Sequence, residues 1–252
     1  MSLEGKVALV TGGSGGLGRV HCLTLAKAGA NVATTGYSHF EKAEAVVKEM
    51  QALGRKALAL KMDVSKLDEV QEGIKKVAET LGPIDILVNN AAFGIIRAVT
   101  IANMEKKDWD RDLSVNLTGA FNTIKCCLPG MAERGWGRII NISSITGTMG
   151  GMGQCSYAAT KAGLIGLTKT AALEGARKGV TCNALVLGSI DAGAFDAVAP
   201  EFRERIIKRI ALRRLGDPQE ISNALVFLAS EGSSYLTGET IEVSGGANLF
   251  LF

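Results

Sequence analysis

From end to end of this chain, short β-branched or aliphatic runs alternate with longer stretches of helical period, and that alternation constrains the fold more than any other feature. Strands are expected near Lys6–Thr11, Asn31–Thr35, Ala57–Met62, Ile84–Asn89, Arg138–Ser143, Val180–Leu187 and Glu239–Val243. Between them the spacing predicts helices near 16–29, 40–53, 65–81, 110–134, 155–178 and 217–230, with Ser65 and Asp217 as N-caps and Pro218 at the first helical position. Repeated strand–helix–strand crossovers are right-handed and cover both faces of a parallel sheet. The expectation is an α/β fold, a doubly wound parallel sheet of seven strands. No Pro/Gly/Ser-rich linker or shift in composition divides residues 1–252, and only 188–215 has an ambiguous pattern, so a single domain is expected. In open sheets of this kind, ligands sit beyond the carboxyl ends of the strands, where the strand order reverses.

Composition narrows the function classes. Hydrophobic residues make up 47% of the chain and charged residues 21%, enough to bury a core and too apolar for intrinsic disorder. The net charge is +3 with the basic residues spread along the chain, which gives no electrostatic case for nucleic acid. No apolar run approaches the roughly 18 residues of a membrane span, and the start, MSLEGKVALVTGG, lacks a basic segment followed by an apolar one and a cleavage site. Neither membrane insertion nor export is expected. Cys22, Cys126, Cys127, Cys155 and Cys182 are odd in number and without CxxC spacing, so no disulfide framework and no metal site is expected, and a reducing cytoplasm fits best.

Glycine is in excess without periodicity, so its positions carry meaning. The first strand runs into Thr11-Gly12-Gly13-Ser14-Gly15-Gly16-Leu17-Gly18 and then a helix. Such a turn lets the backbone approach a pyrophosphate, while the helix N-terminus offers unpaired N–H groups. Alone, it is equally a packing device. Further on, Tyr157 and Lys161 stand four residues apart on a predicted helix, hence on one face. A neighbouring ammonium favours phenolate, so the tyrosine pKa is expected to fall from about 10 toward neutrality, where a general acid/base works best. His21 and His39 fall far from Ser144 in the strand layout, which leaves a Ser-His-Asp hydrolase unsupported.

Taken together, TGxxxGxG, Asn89-Asn90-Ala91-Ala92, the helical Asn116, the strand-end Ser143-Ser144 and Tyr157-Ala-Ala-Thr-Lys161 resemble the short-chain dehydrogenase/reductase family over essentially the whole length. Within it, GMAERGWGRIINISS, SYAATKAGLIGLTK, LRRLGDPQEISNALVFLAS and YLTGETIEVSGG are most similar to the 3-oxoacyl-[acyl-carrier-protein] reductases and acetoacetyl-CoA reductases of fatty acid metabolism. The resemblance implies a Rossmann-type domain and an NAD(P)-dependent enzyme acting on CH–OH groups. It assigns Tyr157 to protonate a carbonyl oxygen, Lys161 to tune Tyr157 and hold the nicotinamide ribose, Ser144 to hydrogen-bond the substrate oxygen, and Asn116 to anchor a water on the proton path. Gln154 joins Ser144 and Tyr157 as a substrate residue. Cofactor contacts fall on Gly12, Ser14, Gly15, Gly16, Leu17, Gly18, Tyr37, Ser38, Asp63, Val64, Asn90, Ala91, Tyr157, Lys161, Gly188 and Ile190.

At the end of the second strand Gly36 stands where an NAD-selective carboxylate would be, with Thr35, Ser38 and His39 able to hydrogen-bond a phosphate, so NADP(H) is favoured and NAD(H) stays open. Ser189 follows the sixth strand where the family has a threonine. The implied substrate is a 3-oxoacyl thioester. The alternatives are another secondary alcohol or ketone, alicyclic, aromatic or steroid, and a non-catalytic cofactor-binding subunit of a hetero-oligomer. An acyl carrier protein is a possible partner, with Arg134, Arg177 and Lys178 as a basic rim for it. The family is commonly tetrameric through its two long helices, so a homotetramer is expected, with the apolar end Leu249–Phe252 packed at a subunit boundary or substrate pocket.

Overall fold

Seven parallel strands form one sheet in the order β3-β2-β1-β4-β5-β6-β7, with β1 Val7–Val10, β2 Asn31–Gly36, β3 Ala57–Lys61, β4 Ile86–Asn89, β5 Gly137–Ser144, β6 Val180–Leu187 and β7 Thr240–Val243. The structure is a computed structural model describing residues 1–94 and 98–249, without the side chains of residues 194 and 196. Strands β1, β4 and β6 are buried at every position, as strands covered on both faces are, whereas the edge strands β3 and β7 are mostly half-buried. The strand order reverses between β1 and β4, which places a crevice at their carboxyl ends.

The helices are α1 Gly16–Lys27, α2 Phe40–Ala52, α3 Leu67–Thr80, α4 Lys106–Leu113, α5 Gly119–Glu133, α6 Ile145–Met149, α7 Cys155–Gly175, α8 Pro200–Arg209 and α9 Pro218–Ala229. Alternate residues of β1 point to opposite layers. Ala8 and Val10 pack with Leu25 of α1, Met50 of α2 and Leu225 of α9; Val7 and Leu9 pack with Val77 of α3, Ile124 of α5 and Ala171 of α7. The doubly wound sheet expected from the alternation is thus present.

Local expectations fare unevenly. Asp217 caps α9 as expected: its Oδ1 accepts from Gln219 N at 2.7 Å, and Glu220 Oε2 accepts from Asp217 N at 2.8 Å. Ser65 does not cap α3. The helix starts one residue later, and Ser65 donates from both N (3.0 Å) and Oγ (2.7 Å) to Asp63 Oδ1. The helix expected over 110–134 starts earlier, at Lys106, and is interrupted by a π-helical turn, Ser114–Thr118. Residues 188–215 hold a 3₁₀ turn, Gly193–Ala197, and then α8. Of the apolar end, Leu249 is 62% exposed and residues 250–252 lie outside the described residues. Among the described residues no helix is long and apolar enough to cross a membrane.

Candidate active site

The turn after β1 packs tightly inward and is open outward at Gly15, while Gly193 approaches it at Gly16. Gly12 has φ +68°, and a Cβ there would lie 2.9 Å from Ala91 Cα; a Cβ on Gly13 would overlap Thr34 Oγ1, and one on Gly18 would overlap Gly12 O. Hydrogen bonds fix the same surface. Thr35 Oγ1 accepts from Gly12 N at 3.0 Å, Thr11 Oγ1 accepts from Asn90 N and Ala91 N at 3.0 and 3.1 Å, and Asn90 Nδ2 donates to Thr11 O and Gly12 O at 3.0 and 3.1 Å. On the other side a Cβ on Gly15 would meet nothing within 4 Å, and α1 opens with no side-chain cap. The first N–H groups of α1, around Ser14, Gly15, Gly16 and Leu17, therefore face a cradle that fits a pyrophosphate. The Asn90 side chain and the Thr35 hydroxyl oxygen hold the turn itself.

At the end of β2, Tyr37 is 54% exposed and Ser38 is exposed, while His39 lies 3.7 Å from Glu41. Gly36 is buried, and a Cβ there would sit 3.1 Å from Ala43 Cβ in α2. Asp63, engaged with Ser65, is a turn residue in the loop that faces this edge. Val64 beside it is buried, its carbonyl accepting from Asn122 Nδ2 at 3.0 Å.

Ser144 closes β5 and caps α6, its Oγ accepting from Thr146 N at 3.1 Å. It also hydrogen-bonds Tyr157, which α7 delivers to the same place. Lys161, one turn further along α7, is fully buried; its Nζ donates to Ile142 O at 2.6 Å and lies 5.5 Å from the Tyr157 ring centroid. The expected lowering of the phenol pKa is not what the polypeptide's own groups do. Burial pushes Tyr157 up to about 12 against the opposing pull of Ser144, and burial pulls Lys161 down to about 8. Ser143, the neighbouring serine, faces away and donates to Lys161 O at 2.8 Å. Gln154 stands beside Thr146 at the start of α7, on the rim of this group.

Asn116 sits in the π turn, and its side chain is engaged by protein partners. Its Oδ1 accepts from Phe93 N at 2.7 Å, and its Nδ2 donates to Phe93 O at 2.9 Å and Thr160 Oγ1 at 3.3 Å. It clamps the loop after β4 to α7, and so links the glycine turn to the helix that carries Tyr157 and Lys161. After β6, Gly188 approaches Ser244 too closely for a Cβ, 2.7 Å from Ser244 Cα, and Ile190 bridges to Gly216 with its side chain packed on the core. Ile190 therefore offers a ligand its backbone rather than its side chain.

Sequence reasoning passed over two buried polar groups. Ser156, next to Tyr157, donates to the buried carboxylate of Asp112 in α4 at 2.6 Å. Under the sheet's carboxyl end, Asn89 Nδ2 donates to Asn141 Oδ1 at 2.8 Å, and Asn141 Nδ2 to Thr168 Oγ1 at 2.8 Å. The polar residues inside otherwise apolar strands were the available signal. The basic rim also needs correction. Arg134 precedes β5, and Arg177 and Lys178 precede β6, so all three lie at the amino ends of strands whose carboxyl ends carry the site, roughly 25 Å away. Arg134 is moreover engaged, donating to Ile84 O at 2.5 Å with Asp85 at 3.7 Å.

Residues 6–201 match the family model described as short chain dehydrogenase. The chain is 46% identical over 243 residues to nodulation protein G of Azospirillum brasilense, covering 96% of this chain and 98% of that one. It is 45% identical to the 3-oxoacyl-[acyl-carrier-protein] reductase FabG of Staphylococcus epidermidis, with 96% and 98% covered. Among solved structures, a provisionally named gluconate dehydrogenase from Agrobacterium tumefaciens superposes with a TM-score of 0.94 at 34% identity, covering 99% of this chain and 98% of that one. With the site's geometry and these likenesses spanning almost its full length, the chain belongs to the short chain dehydrogenase family and is an oxidoreductase acting on CH–OH and keto groups.

Proposed function

We propose that this enzyme interconverts a 3-oxoacyl thioester and the 3-hydroxyacyl thioester, with Tyr157 as general acid/base, one domain of residues 1–252 doing the work. The reading rests on one observation: Ser144, Tyr157 and Lys161 meet at the carboxyl end of the sheet, beside a glycine turn that is open at Gly15. The dinucleotide, when bound, supplies or accepts the hydride. Its pyrophosphate would lie on the backbone of Gly12 and Ser14–Gly18, its adenosine end near Tyr37, Ser38, Asp63 and Val64, and its nicotinamide end near the backbone of Asn90, Ala91, Gly188 and Ile190. Gly36 at the end of β2 brings no carboxylate to repel a 2′-phosphate, which supports NADP(H) over NAD(H).

Burial keeps the Tyr157 phenol protonated near neutral pH, so it holds the proton that a ketone oxygen needs as it becomes an alkoxide. Ser144 Oγ accepts from Thr146 N, and its single hydrogen, which meets the Tyr157 oxygen in the free enzyme, would turn to the substrate oxygen. When the proton moves from Tyr157 to that oxygen, phenolate is left behind. Lys161, still largely protonated below pH 8, stabilises it from one helical turn away. Gln154 would contact the thioester side. Asn116 and Asp112 hold the frame.

The thioester assignment is supported by relatives at 40–46% identity, several of them named 3-oxoacyl-[acyl-carrier-protein] reductases. A second reading, another secondary alcohol as substrate, is supported by the structural relatives named as a gluconate dehydrogenase and as a short-chain alcohol dehydrogenase. Steady-state assays of acetoacetyl thioesters, gluconate and simple ketones with NADPH and NADH, read as nicotinamide absorbance, separate the two. Thioester turnover with NADPH is expected, and turnover of gluconate or ketones alone would overturn the first reading. Tyr157→Phe should lose roughly 10²–10⁴ in kcat; a loss of only a fewfold would remove Tyr157 from its role. A homotetramer is proposed as the working form, and light scattering at the mass of a monomer would refute it. The five cysteines, all free, are in keeping with a cytoplasmic setting.

A further inference from the structure

Residues 200–216 carry six basic side chains, Arg203, Arg205, Lys208, Arg209, Arg213 and Arg214, against two acidic ones, Glu201 and Glu204. Six against two leaves a local charge of +4, larger than the +3 of the whole chain. Part of that charge is neutralised at home: Arg203 pairs with Asp191 at 2.5 Å and Arg214 with Glu220 at 2.7 Å. Arg205, Lys208 and Arg209 are exposed, and among the described residues no carboxylate lies within ion-pair distance of any of them. On α8 they stand three and four residues apart, so they share a face. Phe202 extends that face by a turn; it is 54% exposed and lies under the Arg205 guanidinium, 5.6 Å from ring centroid to Cζ.

The segment overhangs the site. Ile190, just past the end of β6, bridges to Gly216, Leu212 N donates to Gly245 O at 3.1 Å, and a Cβ on Gly193 would lie 3.3 Å from Gly16 Cα of the glycine turn. A partner approaching α8 therefore arrives at the mouth of the crevice. The rim first expected for such a partner, at Arg134, Arg177 and Lys178, lies at the far end of the strands in the same chain.

We propose that the Phe202–Arg205–Lys208–Arg209 face of α8 is the docking surface for an acidic helix of the acyl carrier protein that brings the thioester. The inference rests on the 3-oxoacyl thioester reading. From Phe202 to Arg209 the face runs about 10 Å along the helix, a strip with an apolar end rather than a single charged point. An apolar side chain beside the charges suits a protein surface. Unpaired charges on an interface rim chiefly raise the rate of encounter, and salt screens them.

The test compares the wild type with the triple variant Arg205→Ala/Lys208→Ala/Arg209→Ala on one acetoacetyl group carried three ways: on acyl carrier protein, on CoA and on N-acetylcysteamine. With the carrier protein, the variant should lose about tenfold or more in kcat/KM, through KM with kcat unchanged, and the salt dependence seen in the wild type should flatten. Activity on the N-acetylcysteamine and CoA thioesters should stay as in the wild type. An equal loss on CoA would mean that the face binds phosphates and not a protein helix, and would overturn the proposal. So would an unchanged kcat/KM on the carrier protein while N-acetylcysteamine thioester is turned over, a result that leaves the thioester reading standing. Wild-type enzyme inert toward all three thioesters would sink both.

Discussion

Lys161 is a buried amine, and its burial has a cost that can be measured. Its folded pKa, about 8, lies below the 10.5 of an unburied lysine. Between those values the unfolded chain holds the proton and the folded chain releases it, so stability rises with pH from about 8 to 10.5, and the penalty is complete below 8. The penalty at pH 7 is on the order of 3 kcal/mol. Lys161→Met should therefore abolish turnover while raising the Tm at pH 7, with the gain shrinking toward pH 10.5; thermal scans at the two pH values check it, and no gain at pH 7 would refute the burial argument. Gly36 poses a related conflict. Gly36→Asp should shift preference from NADPH toward NADH, yet its Cβ would press on Ala43 of α2, so a loss of about 1–3 kcal/mol in chemical denaturation is expected alongside the kinetic switch. Both residues were singled out in the sequence, Gly36 for the charge it lacks and Lys161 for its spacing from Tyr157. Neither the tight contact nor the direction of the pKa shifts was legible there, because both depend on atoms from other elements.

The elements that position the site were legible in part. Strand ends were read to within a residue or two, since each is a run of apolar residues bounded by turns. The stretch 106–133 has the periodicity of a helix throughout, but a one-residue π insertion leaves composition and spacing almost unchanged, so the turn at Ser114–Thr118 could only be seen folded. That turn aims Asn116 at Phe93. Asn116→Ala would leave the Phe93 N–H and C=O without their partner, costing about 1–3 kcal/mol and loosening the loop between the glycine turn and α7. Denaturation and kcat should both report it, and unchanged values would mean that the clamp is dispensable. The five-residue α6 was too short for any periodicity; its start depends on Ser144, which caps the helix with the same hydroxyl proposed to meet the substrate oxygen.

Across the whole molecule, α1 and α9 are tied by a buried contact between His21 Nδ1 and Ser222 Oγ at 2.8 Å, joining residues 201 apart in sequence. Burial pulls the histidine down to about 3 from 6.5, so it stays neutral in the fold while the unfolded chain takes up a proton below pH 6.5. Stability should fall by about 1.4 kcal/mol per pH unit from 6.5 toward 3 on this account, and urea titrations at pH 7 and pH 5 should place that slope in the wild type and not in His21→Gln. An equal slope in both would assign it elsewhere. In the sequence His21 was notable only for being too far from Ser144 to act on it. The amino-acid order by itself determined the alternation of strands and helices, the glycine turn at the end of β1, and the placing of Tyr157 and Lys161 on one helical face, because these follow from the spacing of residues along a single element. The tertiary structure alone decided that Asn90, Thr35 and Asn116 hold the frame, that burial raises Tyr157 and lowers Lys161, and that the unpaired basic face at the crevice belongs to α8, while Arg134, Arg177 and Lys178 stand at the far end. Hydrogen-bond partners, desolvation and distance across a sheet are set by what folds against a residue, and that neighbour comes from tens of residues away.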